Sequence, residues 1–171
     1  MRMNLSSRLI FTAIGVSLPI AAHRADMNET HIYNPHWPPH AKFHDGQTLS
    51  MSILLGVLTT FLAWKSSKNV PMMVAGAACA ASLYFITQST AILYPGTAYS
   101  DPTDGPKVEP KPVRGIPAAN KIDLGYLSAV VLASWLGLRG CRRNAGQQVA
   151  DKSKMKLAHL SPIPRMNKVD F

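Results

Sequence analysis

Four stretches of the chain carry no formal charge at all: residues 9–22, 49–64, 71–94 and 124–138. The 18 basic and nine acidic residues are confined to the segments between and beyond them. Hydrocarbon demands such a partition, because an isolated charge is costly there and an unpaired backbone amide costs several kcal/mol. A segment crossing lipid must therefore satisfy its own backbone, and for single segments this means an α-helix. The pattern predicts an all-α membrane protein, a four-transmembrane-helix bundle within residues 1–140. Three of the stretches fall short of the roughly 20 residues that span a bilayer core, so they must recruit polar flanks, tilt or thin the membrane.

Punctuation between the stretches fits the same reading. Lys65-Ser-Ser-Lys68 is a short polar turn, and Pro71 suits the first turn of a new helix, where its missing N–H costs little. Gly76 and Ala80, four apart, provide the small-residue spacing that lets helix backbones approach in lipid, more readily within one chain than between two. The first stretch follows a basic lead and has two readings. It is a retained helix, or a signal peptide whose cleavage rule is poorly met: a cut after Ala22 puts Ile20 three residues upstream, and a cut after Ala25 puts His23 there.

Positive charge sets the sidedness. With the N-terminus in the cytosol, Arg2, Arg8, Lys65, Lys68 and the eight basic residues from Arg139 to Lys168 lie inside. Outside are Arg24, Lys42, Lys107, Lys111, Arg114 and Lys121. The expected topology is N-in, C-in, in an endoplasmic reticulum or other endomembrane if the cell is eukaryotic. A net charge of +9 otherwise invites a nucleic-acid partner, but the cations sit beside apolar helices and no base-reading motif accompanies them. Membrane lipid is the expected partner and nucleic acid is not. Cys79 and Cys141 fall at different depths, which opposes a disulfide; Cys141, in a basic setting, is either palmitoylated or an unmodified thiol.

Three loops or tails remain. Residues 95–122 hold six prolines and read as an irregular external loop, and residues 141–171 read as a basic, disordered cytosolic tail. The external loop 23–48 concentrates five of the six histidines. There, Pro38 and Pro39 suit a helix start, which sets His40 and His44 one turn apart on one face with Gln47 continuing it. Three readings stay open. His40 and His44 hold a divalent metal such as zinc, with His31, Asp26 or Glu29 completing the site. Alternatively, a histidine and a carboxylate share acid–base work near neutral pH. In the third reading, the histidines, Tyr33, Trp37 and Phe43 seat the loop at the interface. Tyr84 and Gln88 on the third helix, Gln47 on the second and Asp123 on the fourth reach the same side. Polar groups there are candidates to line a cavity under the histidine loop.

The segment Asn28-Glu-Thr-His-Ile-Tyr-Asn-Pro-His-Trp-Pro-Pro-His-Ala-Lys-Phe-His44 resembles a block found in a family of small fungal and bacterial four-helix membrane proteins of unknown function. Tyr94-Pro-Gly-Thr-Ala-Tyr-Ser-Asp101 is similar to that family's second block. The resemblance covers about residues 1–140. It falls on His31, Asn34, Pro35, Trp37, Pro38, Pro39, His40 and His44, and leaves His36 at a variable place. It implies the four-helix architecture and, from relatives that accompany natural-product pathways, lipophilic small-molecule substrates.

Two functions are carried forward. The first is a membrane enzyme, an isomerase, cyclase or hydrolase acting on a lipophilic small molecule. It would use His31, His40, His44, Asp26 and Glu29 for catalysis and Trp37, Phe43, Gln47, Tyr84 and Gln88 to hold the substrate. The second is a non-enzymatic membrane assembly or metal-binding protein, or a small transporter. Transport is disfavoured by the lack of charge in mid-membrane. Nucleotide and serine hydrolysis and thiol redox work lack their motifs.

Overall fold

The computed structural model describes residues 2–97 and 118–159, so most of the proline-rich loop and the last twelve residues of the tail lie outside the described residues. Four helices form in order: α1 (Leu5–Asp26), α2 (Pro39–Trp64), α3 (Val70–Thr90), extended by a single 3-10 turn at Ala91–Leu93, and α4 (Ala118–His159). No strand occurs among the described residues. The helices pack in a ring, α1 on α2, α2 on α3, α3 on α4 and α4 back on α1, while α1 and α3 also meet across the centre. All four are long and apolar enough to cross a membrane.

Local signals start the helices. The Asn4 side chain accepts from the Ser7 amide at 2.8 Å to cap α1, and its amide group donates to the Leu136 carbonyl of α4 at 2.6 Å. Asn69 caps α3 by accepting from the Met72 amide at 3.1 Å, with Pro71 in the first turn as expected. Pro39 opens α2. Within the external segment 23–48, α1 continues to Asp26 and α2 begins at Pro39, where the two prolines indicated a helix start, leaving 27–38 between them. The charges that end an apolar stretch need not end a helix once it has left lipid.

The same reason corrects the tail. Residues 141–159 are helical rather than irregular, because α4 continues far beyond its last apolar turn. At 42 residues it is about 63 Å long, twice the thickness of a hydrocarbon core. Alanine, glutamine, lysine and arginine, all good helix formers, dominate this extension. Residues 118–122, assigned by sequence to the external loop, likewise belong to α4.

Small and hydroxylated residues share the interior with larger apolar ones: Ser7, Ser52, Thr59, Ala63, Ala77, Ala81 and Ala133 have no accessible surface, and neither has Phe11. The outside carries Leu54, Val57, Phe61, Val131 and Trp135, each more than half exposed. So much exposed apolar surface is foreign to a soluble monomer and suits lipid. Between α1 and α4, Ser7 donates to the Ala133 carbonyl at 2.7 Å. A Cβ at Gly137 would come within 2.8 Å of Val74, so close approach of α4 to α3 depends on that glycine. Gly76 faces Leu62 of α2, which makes the anticipated small-residue spacing of α3 an intramolecular contact.

The tightest crossing is one that the sequence did not announce. Gly15 of α1 lies against Gly56 of α2; a Cβ at Gly15 would stand 2.6 Å from the Gly56 carbonyl oxygen, and one at Gly56 would overlap the Gly15 carbonyl oxygen. Pro19, four residues after Gly15, explains the pairing. It has no N–H to donate to the Gly15 carbonyl. The freed oxygen faces the Gly56 Cα instead, a C–H···O contact of about 0.5–1 kcal/mol.

Candidate functional site

At one end of the bundle converge the C-terminus of α1, the N-terminus of α2, the C-terminal turns of α3 and the start of α4. Here two cavities share three residues that sequence had singled out. One, of about 180 Å³, lies between α1, α3 and α4 and is lined by Asp26, Tyr84, Gln88 and Asp123 among apolar neighbours. The other, of about 340 Å³, lies between α1, α2 and α3 and is lined by Asp26, Thr48, Met51, Tyr84, Thr87 and Gln88. Asp26, Tyr84 and Gln88 thus face both.

Asp26 is placed there by the length of α1, and its Oδ1 is 3.9 Å from Nε2 of His31. A short relay orients that imidazole. Thr30 donates its hydroxyl proton to Asn28 Oδ1 at 2.6 Å, and the same Thr30 oxygen then accepts from His31 Nδ1–H at 2.7 Å. With Nδ1 engaged by Thr30, Nε2 is the ring atom turned toward the carboxylate. Trp37 packs its ring edge-on to His31 at 5.0 Å and fixes the plane from the other side. The Thr30-His31 pair and Trp37 belong to one compact turn, closed by the Tyr33 and Ile32 amides donating to the Asn28 and Asp26 carbonyls.

Asp123 is 2% exposed and accepts from Ser89 Oγ at 2.8 Å, which ties α4 to the end of α3. Phe85 stacks on Tyr126 at 4.3 Å and forms the apolar wall of the smaller cavity. Asp45 was not named as a candidate. Its Oδ2 is buried without a hydrogen-bond partner, and it is electrostatically coupled to both Asp26 and His31. A signal for it existed: Leu49, Ser52, Gly56, Thr59 and Ala63 form the buried stripe of α2, and Asp45 extends that stripe by one turn.

The remaining predicted residues stand elsewhere. His40 and His44 are neighbours, as their spacing requires, with Nε2 atoms 3.1 Å apart. Both are exposed and neither lines the two cavities. Gln47 Oε1 is 3.3 Å from His44 Nδ1; an amide oxygen only accepts, so His44 carries its proton on Nδ1 and His40 donates from Nε2. Phe43 is 66% exposed and stacks on His40 at 6.2 Å. Glu29 is exposed on the loop. Among the described residues no three His, Cys, Asp or Glu side chains are arranged to hold a metal ion, so His40 and His44 form a two-ligand half-site. The Asp26–His31 pair and the His40–His44 pair are separate arrangements.

The sequence model of a family of unknown function (DUF6640) matches residues 10–136, which takes in all four helices as far as Leu136 and both blocks noted in the sequence. No curated protein and no solved structure matches the chain.

Proposed function

The chain belongs to the DUF6640 family, whose function is unknown, and from its site we propose an integral membrane protein that performs acid–base chemistry on a lipophilic small molecule. The protein has both termini in the cytosol, and its site faces the opposite side. One observation carries this reading: a histidine with a single free ring nitrogen directed at a carboxylate, where that carboxylate lines cavities between lipid-exposed helices. In the proposed reaction His31 Nε2 takes a proton from the substrate. The Asp26 carboxylate stabilises the imidazolium that forms, and Tyr84 and Gln88 offer hydrogen bonds to a substrate oxygen. The volume of the larger cavity is at the low end of the usual range for ligand pockets, and Phe85, Tyr126, Met51 and Leu18 supply apolar contact. Isomerisation or cyclisation of a carbonyl or alkene compound needs no more than such proton movement.

The test is an exchange assay. Protein in lipid nanodiscs is incubated in deuterium oxide with lipophilic extracts of its own source membrane, and products are read by chromatography and mass spectrometry. The expected result is protein-dependent deuterium uptake or a new isomer of one component. If no component changes across all extracts, the enzymatic reading is lost and a non-enzymatic assembly role takes its place.

A second reading rests on the 3.1 Å approach of His40 and His44. Two imidazole nitrogens at that separation are suitable ligands for one divalent ion such as zinc, with water or another chain supplying the rest. Purified wild-type protein should then contain about one equivalent of metal per pair, lost in the His40→Ala/His44→Ala double variant. Equal metal content in both proteins removes this reading.

A further inference from the structure

We propose that the groove between α1 and α2 binds one anionic phospholipid, its acyl chain lying on the Gly15–Gly56 crossing and its phosphate held by Arg8. The groove has a volume of about 570 Å³ and is almost wholly apolar; Val16, Ile20, Ile53, Val57 and Phe61 line it around the crossing glycines. A glycine crossing brings two helix backbones together and leaves a furrow where side chains would have been. This furrow faces outward: Val57 is 63% and Phe61 54% exposed.

Beyond the end of the furrow remote from Asp26 lies a group of cations, which gives the occupant its charge. The guanidinium of Arg8 lies 3.7 Å over the ring of Trp64, and Trp64 Nε1 donates to Thr12 Oγ1 at 2.8 Å, which pins the indole to α1. Trp64 follows Phe61 and Thr60 on the same face of α2, and Arg8 precedes Thr12 and Gly15 on the same face of α1. Lys65 stands over Phe61 at 5.2 Å, and Arg2 donates to Ser66 beside it. These three cations have no carboxylate partner: the single ion pair among the described residues is Asp26 with His31, at the far end. Moreover, Arg8 Nε is buried and has no hydrogen-bond acceptor. The terminal guanidinium nitrogens are donors as well, and a phosphate offers them the counter-charge and fork geometry that Arg suits best.

Length agrees with the assignment. From Arg8 to Ile20 is twelve residues, about 18 Å along the helix, close to the depth of one bilayer leaflet. A phosphate at Arg8 therefore lies at the interface while its chain fills the furrow toward the midplane. A second copy of the protein would bring another set of the same cations to the same rim, and like charge opposes that occupant.

The experiment uses the full chain in nanodiscs made of equal parts phosphatidylcholine and phosphatidylglycerol, followed by gentle extraction and native mass spectrometry. Wild type should retain one lipid, with phosphatidylglycerol favoured several-fold. Arg8→Gln should reduce that preference about five-fold, the value expected for one interfacial cation. Val57→Trp, which fills the furrow, should remove retained lipid of both kinds. Val131→Trp, on the lipid face of α4, should do neither. Melting temperature in detergent shows that each variant is folded; should Arg8→Gln not fold, Lys65→Gln tests the same cluster of charge. Retention without headgroup preference, retention unchanged in Val57→Trp, or a lipid-free dimer as the wild-type species each overturns the proposal.

Discussion

Gly56→Leu will leave little folded protein. In the native bundle the Gly15 carbonyl oxygen lies where the first side-chain carbon would stand, and the obstacle is backbone on both sides. A side chain can rotate away from an inserted carbon; a carbonyl fixed in a helix cannot. Overpacking a core costs about 1–3 kcal/mol when neighbours can adjust. Here α1 and α2 must separate along their whole contact, which also breaks the Trp64–Thr12 hydrogen bond and the Arg8–Trp64 stack. We expect Gly56→Ala, whose Cβ already meets that oxygen, to cost about 3 kcal/mol or more, the top of that range, and Gly56→Leu to exceed it further. The measurement is the melting temperature of detergent-purified protein, or yield where none is recovered. Gly46 and Gly125 are internal controls: both are helical and nothing lies within 4 Å of an added Cβ. Alanine at either should be neutral or stabilising by up to about 1 kcal/mol, the usual gain over helical glycine. If all four variants melt alike, the crossing does not hold the bundle together.

That crossing also marks the limit of what the sequence conveys. The helices themselves were legible because lipid excludes charge, and charge can be counted along a chain. Gly76 and Ala80 were visible because their spacing lies within one helix. Gly15 and Gly56 are 41 residues apart, and nothing in either segment names the other; Pro19, by freeing a carbonyl, was the available hint and it reads equally well as a kink. The start of α2 was legible in Pro38 and Pro39; the length of α4 was not, because charged residues beyond 139 end an apolar run, yet lysine and arginine are helix-compatible once outside hydrocarbon. Around the cavities, Tyr84, Gln88 and Asp123 were legible as polar residues at helix ends on one side, and Asp26 as a carboxylate near the histidines. Asp45 was passed over because the neighbouring histidines drew attention to the other face of α2, one residue, or about 100°, away.

Asp26→Asn should abolish the proposed activity while His40→Ala/His44→Ala leaves it nearly intact. Asparagine keeps the shape of the side chain and its place between the two cavities but removes the charge facing His31 Nε2. Without that charge the imidazolium formed on proton abstraction loses its ion-pair partner and is left with the weaker field of Asp45. Loss of a positioned acid–base partner costs about 10²–10⁴ in rate. His31→Gln should fall as far, since it deletes the basic atom itself. Tyr84→Phe should lose less, because Gln88 remains to bind the substrate oxygen. His40 and His44 lie on the exposed face of α2 and line neither cavity, so their removal should change turnover by no more than a few-fold. The deuterium-exchange assay reads all of these, with melting temperature as the check on folding. The reverse pattern, activity surviving in Asp26→Asn and lost in the double histidine variant at unchanged stability, would transfer the chemistry to the His40–His44 pair and with it to a bound metal. The two patterns exclude each other because one assigns the reacting proton to His31 beside Asp26 and the other to the pair on the surface of α2.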